Sequence, residues 1–366
     1  MRDPGPYATG RGARGRGRRF TAKTASMRAA IFDEHGGPEV VHVATVPTPE
    51  PGPGQVRIAV RAAALNHLDL FVRRGLPIDI TLPHIGGSDI GGLIDAVGPG
   101  VTGVASGQRV IVNPSVSCGA CESCRAGEDP LCPEYRIIGE HLPGGFAEYV
   151  VVPAENVMPV PDGFDLETAA AAPLTFLTAW RALVTRGRLH AGERVLITGA
   201  SGGVSTAAVQ IARHLGAEVH AITTAEHGER VRALGAHHVW DRGQPDHRKR
   251  LWEATGRNGF PLILDSVGQA TWHENIRALA RAGRLVVYGA TSGPRAVTDI
   301  RYLFWKQLDV LGTTMSNRSE FAAVMELVFG GVFRPVIDSV YPLEQAGAAQ
   351  ERLEAGRQFG KILLRP

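Results

Sequence analysis

Two rhythms of apolar and polar residues divide this chain. After Met27 the apolar positions come in short, turn-punctuated alternations. Gln55-Val56-Arg57-Ile58-Ala59-Val60-Arg61 sets Val56, Ile58 and Val60 on one side at period two, the pattern of a half-buried strand. Stretches 91–97 and 108–112 read alike, broken by Gly98-Pro99-Gly100. From about residue 160 the rhythm lengthens. Apolar strands at 194–198, 218–222, 261–265 and 284–289 alternate with helical patterns such as 204–215. That alternation predicts βαβ units and a parallel sheet. The last fifty residues return to shorter, mixed elements, and no internal repeat is visible. A β-rich domain followed by an α/β domain suits a length of 366 residues. No run of 18 apolar residues predicts a membrane span.

Charge changes the picture at one end only. The formal net charge is +3, but residues 1–26 carry six Arg and Lys23 against Asp3, so 27–366 are mildly acidic. The basic segment has five Gly, two Pro and no Leu, Ile or Val, which predicts disorder. Arg18-Arg19-Phe20 lacks the apolar stretch of an export signal, and the Gly and Pro oppose an amphipathic presequence. We expect an extension upstream of a start at Met27, a cytoplasmic protein, and no nucleic-acid groove in the body.

All four cysteines fall within fifteen residues, as Cys118, Cys121, Cys124 and Cys132. The C-x2-C-x2-C-x7-C spacing lets sulfurs converge on one point, and four thiolates saturate Zn2+, predicting one structural zinc per chain. Two disulfides would be strained at these spacings, and an iron–sulfur site is the remaining alternative. No cysteine is left over for a catalytic metal.

Strand 194–198 runs into Gly199-Ala200-Ser201-Gly202-Gly203-Val204-Ser205 and then a helix. Such a glycine turn brings backbone N–H groups to a pyrophosphate at a helix N-terminus. The strict G-x-G-x-x-G pattern is broken, with Ala200 first and Ser205 last. The next strand ends Ile222-Thr223-Thr224-Ala225, with no acid before Glu226 to hold a ribose 2′-OH, while Arg230 and Arg242 could meet a 2′-phosphate. NADP(H) is therefore expected in preference to NAD(H).

Together with Gly145-Phe146-Ala147-Glu148-Tyr149, the stretch from Ala172-Pro173 to Ala179-Trp180, and Gly360-Lys361-Ile362, these features resemble the medium-chain dehydrogenase/reductase superfamily from Met27 to Pro366. The resemblance implies an α/β fold: a GroES-like β-rich catalytic domain plus a Rossmann doubly wound parallel sheet. The implied layout is a GroES-like domain at 27–155 with a zinc lobe at 118–132. A Rossmann domain follows at 156–316, and 317–366 return to the catalytic domain. It also implies a homodimer, or a dimer of dimers, joined through strand 308–313. Cofactor contacts are implied from Asn66, Thr178, Gly202, Gly203, Val204, Thr224, Arg230, Arg242, Gly289 and Lys361.

The zinc alcohol dehydrogenases of that superfamily carry a C-H-T/S-D segment, matched here by Asn66-His67-Leu68-Asp69, and a G-H-E motif, matched by Gly87-Ser88-Asp89. Their third ligand falls near Leu174-Thr175-Phe176. None of the three is a ligand here. Ala64-Leu65-Asn66-His67-Leu68-Asp69 instead resembles the L-N-x-x-D pattern of quinone oxidoreductases and enone reductases. These lack catalytic zinc and reduce an electron-poor C=C or a quinone with NADPH. Most of them also lack the four-cysteine lobe. The expected substrate is a small carbonyl, enone, 2-alkenal or quinone. Asn66, His67, Asp69 and His141 are the candidate catalytic residues, with His67 and His141 the candidate proton donors. Two alternatives remain open. One is an alcohol dehydrogenase with a non-standard metal site drawn from His67, Asp69, His84, Asp89, Glu140 and His141. The other is a non-catalytic NADPH-binding protein.

Overall fold

A computed structural model describes residues 25–366, so the basic segment lies outside the described residues up to residue 24. The β-rich part is organised by the strand Gln55–Ala64. It pairs antiparallel with Asp89–Val97, with Tyr149–Pro153 and, at its end, with Lys361–Arg365. Val56, Ile58 and Val60 are buried in one core while Arg61 faces solvent, as the period-two alternation requires. The pairing of Lys361–Arg365 against Ala63 and Ala64 brings the chain's last strand beside Leu65 and Asn66.

The α/β part is a six-stranded parallel sheet. Its order is His238–Asp241, Glu218–Thr223, Arg194–Ile197, Phe260–Asp265, Leu279–Val287, Asp309–Gly312. The strand order reverses beside Arg194–Ile197, and open α/β sheets bind ligands at the carboxyl ends of strands at such a point. Helix Gly203–His214 follows Arg194–Ile197 and buries Ala207, Ala208, Val209, Ile211 and Ala212 in the sheet's core.

Packing moves both domain borders away from those expected. Val157–Pro159 pairs with Arg109–Val112 in the catalytic sheet, and helix Leu166–Ala170 packs on Gln55–Ala64 and Asp89–Val97. The catalytic unit therefore runs past residue 155 to about 172. Helix Arg318–Phe329 buries Phe321, Val324, Met325 and Val328 in the core that holds Val195 and Val209, so it belongs with the parallel sheet. The return to the catalytic sheet begins with Ile337–Pro342, not at 317. Apolar faces decide these borders, and border residues carry no local mark of which core will take them.

Asp309–Gly312 is an edge strand, with Val310 42% exposed, and nearby Ile300, Phe304 and Trp305 are also exposed. Among the described residues no helix is long and apolar enough to cross a membrane.

Candidate active site and zinc lobe

A cleft of about 1610 Å3 opens between the catalytic domain and the carboxyl ends of the parallel strands. Gly202, Gly203 and Val204 form part of its wall at the start of helix Gly203–His214. The first amides of a helix have no carbonyl partner in a preceding turn and carry its positive end. Gly199 turns with φ +57°, a left-handed conformation suited to glycine. A Cβ on Gly203 would lie 2.8 Å from Lys361 Cδ and 2.9 Å from Thr175 Cγ2, so only glycine lets the turn sit this low.

The wall holds many polar atoms without partners. Of nine buried side-chain N and O atoms lacking a hydrogen bond among the described residues, all but those of Ser88 and Asn156 line this cleft. They include the hydroxyls of Thr178, Thr223, Thr224 and Thr313. Buried polar groups are ordinarily satisfied, so a cluster of orphans in one cleft fits a polar ligand that completes them. Gly289 and Arg242 also line the cleft. Arg230 does not; its guanidinium stacks 4.0 Å above the Phe359 ring. Phe359 stands between Gln358 and Gly360, which do line the cleft, so the cation–π contact holds Arg230 at its margin.

At the catalytic side of the cleft the polar residues are bonded to one another. Lys361 is 3% exposed, and its ammonium donates to Leu65 O at 2.7 Å, Asn66 Oδ1 at 2.6 Å and Asp89 Oδ2 at 2.9 Å. Asn66 Nδ2 donates to the same Asp89 oxygen at 3.0 Å, and Leu174 N–H donates to Asp89 Oδ1 at 2.6 Å. All three ammonium protons and both amide termini of Asn66 are used inside the protein. Asn66 and Lys361 were expected to contact cofactor through these groups. Both residues line the cleft, and these bonds fix where their side chains stand, as a buried lysine needs its charge and donors satisfied.

Asp69 Oδ2 accepts from Asn66 N–H at 2.7 Å and Oδ1 from Gly87 N–H at 2.9 Å, which ties helix His67–Arg74 to the Gly87 turn. Burial pushes the Asp69 carboxyl up to about 6 despite those two N–H groups. His67 lines the cleft, and burial with Lys361 and Arg74 nearby pushes its imidazole down to about 4, so it is neutral near pH 7. His141 also lines the cleft; burial and Arg136 lower it, and its Nδ1 accepts from Ile137 N–H at 3.2 Å, which leaves the proton on Nε2. Neither histidine is an imidazolium at neutral pH. The residue the sequence reading passed over as an acid is Glu140. It lines the same cleft, and burial and Asp69 push its carboxyl up to about 7. Its neighbour His141 drew attention first because histidine alone titrates near neutrality unperturbed.

The six residues weighed as a non-standard metal site do not form a ligand cluster among the described residues. The carboxylates of Asp69 and Asp89 are already taken, and His84 Nε2 lies 3.1 Å from Gly139 O. The four cysteines do converge. Cys121 Sγ and Cys124 Sγ are 3.5 Å apart and Cys118 Sγ and Cys124 Sγ 4.0 Å, near the roughly 3.8 Å that tetrahedral Zn–S bonds impose. No disulfide joins them. The lobe docks on the parallel-sheet domain through Asn317 Nδ2 to Gly127 O at 2.7 Å and Arg318 N–H to Asp129 Oδ2 at 2.9 Å.

A second group, Glu218, His220 and His238, gathers at the far ends of the parallel strands. Trp240 Nε1 donates to His220 Nδ1 at 3.3 Å, so His220 Nε2 carries its proton and donates to Glu218 at 3.0 Å. This is a hydrogen-bonded carboxylate–imidazole group whose lone pair is already used.

Known proteins agree with this architecture. Residues 52–162 match the alcohol dehydrogenase GroES-like domain, and residues 203–330 match the zinc-binding dehydrogenase family. The chain is 31% identical to human quinone oxidoreductase, covering 92% of this chain and 97% of that one. It belongs to the medium-chain dehydrogenase/reductase superfamily. An acryloyl-coenzyme A reductase of Sulfurisphaera tokodaii is also 31% identical, over 88% of this chain and 95% of that one. Among solved structures, an NAD-dependent alcohol dehydrogenase superposes with a TM-score of 0.89 at 44% identity, covering 93% of this chain and 100% of that one. A member of this superfamily is an NAD(P)H-dependent oxidoreductase acting on small molecules, and its two domains are the GroES-like and Rossmann units described above.

Proposed function

We propose that this protein reduces an activated acceptor, an enone, 2-alkenal or quinone, with NADPH and without a catalytic metal. The observation that carries this reading is the Asn66–Asp89–Lys361 network. Residues at positions where the zinc enzymes hold or neighbour their ligands here satisfy a buried ammonium. Three protein ligands are needed for a Lewis-acid zinc, and at the three positions where the zinc enzymes carry theirs this chain has Asn66, Ser88 and the Leu174-Thr175-Phe176 stretch. A conjugated acceptor needs less help, because charge arriving at the β-carbon spreads onto oxygen, where a donor such as neutral His141 stabilises it. The bound cofactor supplies the hydride. The turn at Gly202, Gly203 and Val204 holds its pyrophosphate, while Thr178, Thr224 and Gly289 offer polar atoms or close backbone to the rest. Arg242, with no acid at the end of strand Glu218–Thr223, favours the 2′-phosphate of NADPH.

The names of two relatives, quinone oxidoreductase and acryloyl-coenzyme A reductase, belong to enzymes of activated acceptors and extend the panel to 2-enoyl thioesters. We further propose one zinc in the cysteine lobe. A second copy of the chain would pair through the edge strand Asp309–Gly312, whose apolar neighbours are exposed. The test is cofactor oxidation against enones, 2-alkenals, quinones, 2-enoyl thioesters and simple aldehydes, with zinc counted in the same preparation. We expect NADPH oxidation with conjugated acceptors and one zinc per chain. Activity confined to simple aldehydes and alcohols overturns the reading.

A further inference from the structure

We propose that Glu140 is the acid that protonates the reduced acceptor. The inference rests on the reductase reading above and assigns a catalytic residue to it. Glu140 is 8% exposed and lines the same cleft as His67, His141 and Thr178, and among the described residues its carboxyl makes no side-chain hydrogen bond, His141 Nδ1 lying 3.7 Å away. A buried carboxyl ordinarily finds donors, as Asp69 and Asp89 do a short way off. The carboxyl of Glu140 keeps both oxygens for something that enters the cleft.

The groups around it favour the protonated form. Asp69, from helix His67–Arg74, adds negative potential, and Tyr135 is a neutral phenol whose own titration burial has pushed far up. His141 is the one basic group close by. Its Nδ1 lies 3.7 Å from Glu140 Oε2, yet that nitrogen accepts from Ile137 N–H and the ring is neutral at pH 7. Among the described residues the influences on its titration are burial and Asp69, both of which raise it. Burial and Asp69 accordingly hold the carboxyl near 7, where an acid is best poised between holding and giving its proton.

The step balances without a further reactant. Once the β-carbon has gained hydride, the former C=C pair rests on the carbonyl oxygen as an enolate. The Glu140 O–H bond breaks, its proton forms a new C–H bond at the α-carbon, and the enolate electrons return to the C=O. For a quinone the proton goes to oxygen instead. Solvent then reprotonates the carboxylate. Neither His67 nor His141 holds an imidazolium proton at neutral pH, which leaves Glu140 as the acid that the cleft contains ready charged with one.

The test compares wild type with Glu140→Gln and Glu140→Asp in the full-length enzyme. With an enone and saturating NADPH, wild-type kcat should fall as pH rises through about 7, since ionised Glu140 cannot donate. Glu140→Gln should lose about 100-fold or more in kcat, keep its KM for NADPH, and lose that fall with pH. Glu140→Asp should recover part of the rate together with the pH dependence. A second readout needs no turnover. A carboxyl whose titration is raised on folding destabilises the folded state as pH rises past it, so Glu140→Gln should raise the thermal midpoint relative to wild type at pH 8 but not at pH 5. Wild-type kcat and pH profile in Glu140→Gln, or an equal midpoint shift at both pH values, overturns the role alone. Failure of the wild type to turn over any conjugated acceptor overturns the reductase reading, and this role falls with it.

Discussion

The cysteine lobe and the Asn66–Asp89–Lys361 centre both gather groups that in this superfamily could surround a cation, and they assemble them in different ways. The lobe draws four sulfurs from fifteen consecutive residues, 118–132, with nothing in the geometry reserved for any other ion partner. The centre draws on residues 66, 89 and 361, brought together by the pairing of Gln55–Ala64 with both Asp89–Val97 and Lys361–Arg365. One site leaves its ligands open to a metal from outside. The other encloses a cation of the chain's own, the Lys361 ammonium. The same fold thus gathers four thiolates in one place and surrounds an ammonium in the other, which is the contrast on which the proposed metal-free reduction rests.

The sharpest way to break this contrast is Lys361→Met. Removing one partner of a buried pair leaves Asp89 uncompensated, and we expect a loss of about 3–5 kcal/mol in chemical denaturation. Adding Asp89→Asn should restore most of it, whereas a single-variant loss below about 1 kcal/mol would mean that the pair does not hold the centre. Gly203→Ala tests the neighbouring turn, where the new Cβ meets Lys361 and Thr175. It should cost about 1–3 kcal/mol and weaken NADPH binding, and unchanged cofactor affinity in a titration would count against the pyrophosphate assignment.

On the lobe side, Cys121→Ser or chelation should release the zinc and speed protease cleavage within 118–132 by about tenfold, equal to about 1.4 kcal/mol of local opening. The parallel-sheet core should stay intact by amide exchange. Full zinc retention would argue that the remaining three thiolates suffice.

The smallest effect is a pH slope. Burial holds Asp69 at about 6 against the 3.8 of an ordinary aspartate. Between those values the folded state binds more protons than the unfolded state, so stability should fall as pH rises from about 4 to about 6. Asp69→Asn should flatten that slope by an amount on the order of 1 kcal/mol per unit, measured from denaturation midpoints at several pH values.

How far the sequence could be read follows the same division. The strand at 55–61, the cysteine spacing and the glycine turn at 199–203 are legible because their determinants are local: an alternation, a ligand spacing, a residue that must turn tightly. Arg230 reads as a phosphate ligand by position, yet Phe359, far along the chain, takes its guanidinium. Asn66 and Lys361 occur in motifs that resemble cofactor contacts, but the sequence carries no sign that they would meet Asp89 and spend their polar atoms on it. Glu140 could have been found from one signal, an acid within a cleft loop beside a candidate histidine. Its unusual titration needed the burial and the facing Asp69 that only folding provides. The domain borders moved for a related reason, since helix Arg318–Phe329 carries an apolar face that either core could have buried.

The sequence by itself determined the two-domain order, the parallel sheet, the glycine turn before helix Gly203–His214 and the convergence of four thiolates, because each depends on residues within one or two elements. The tertiary structure decided which polar groups remain free. Hydrogen-bond capacity is finite, and a side chain saturated by distant partners has none left for a ligand. By that measure Lys361 and Asn66 became supports, and Glu140 kept its carboxyl open to the cleft.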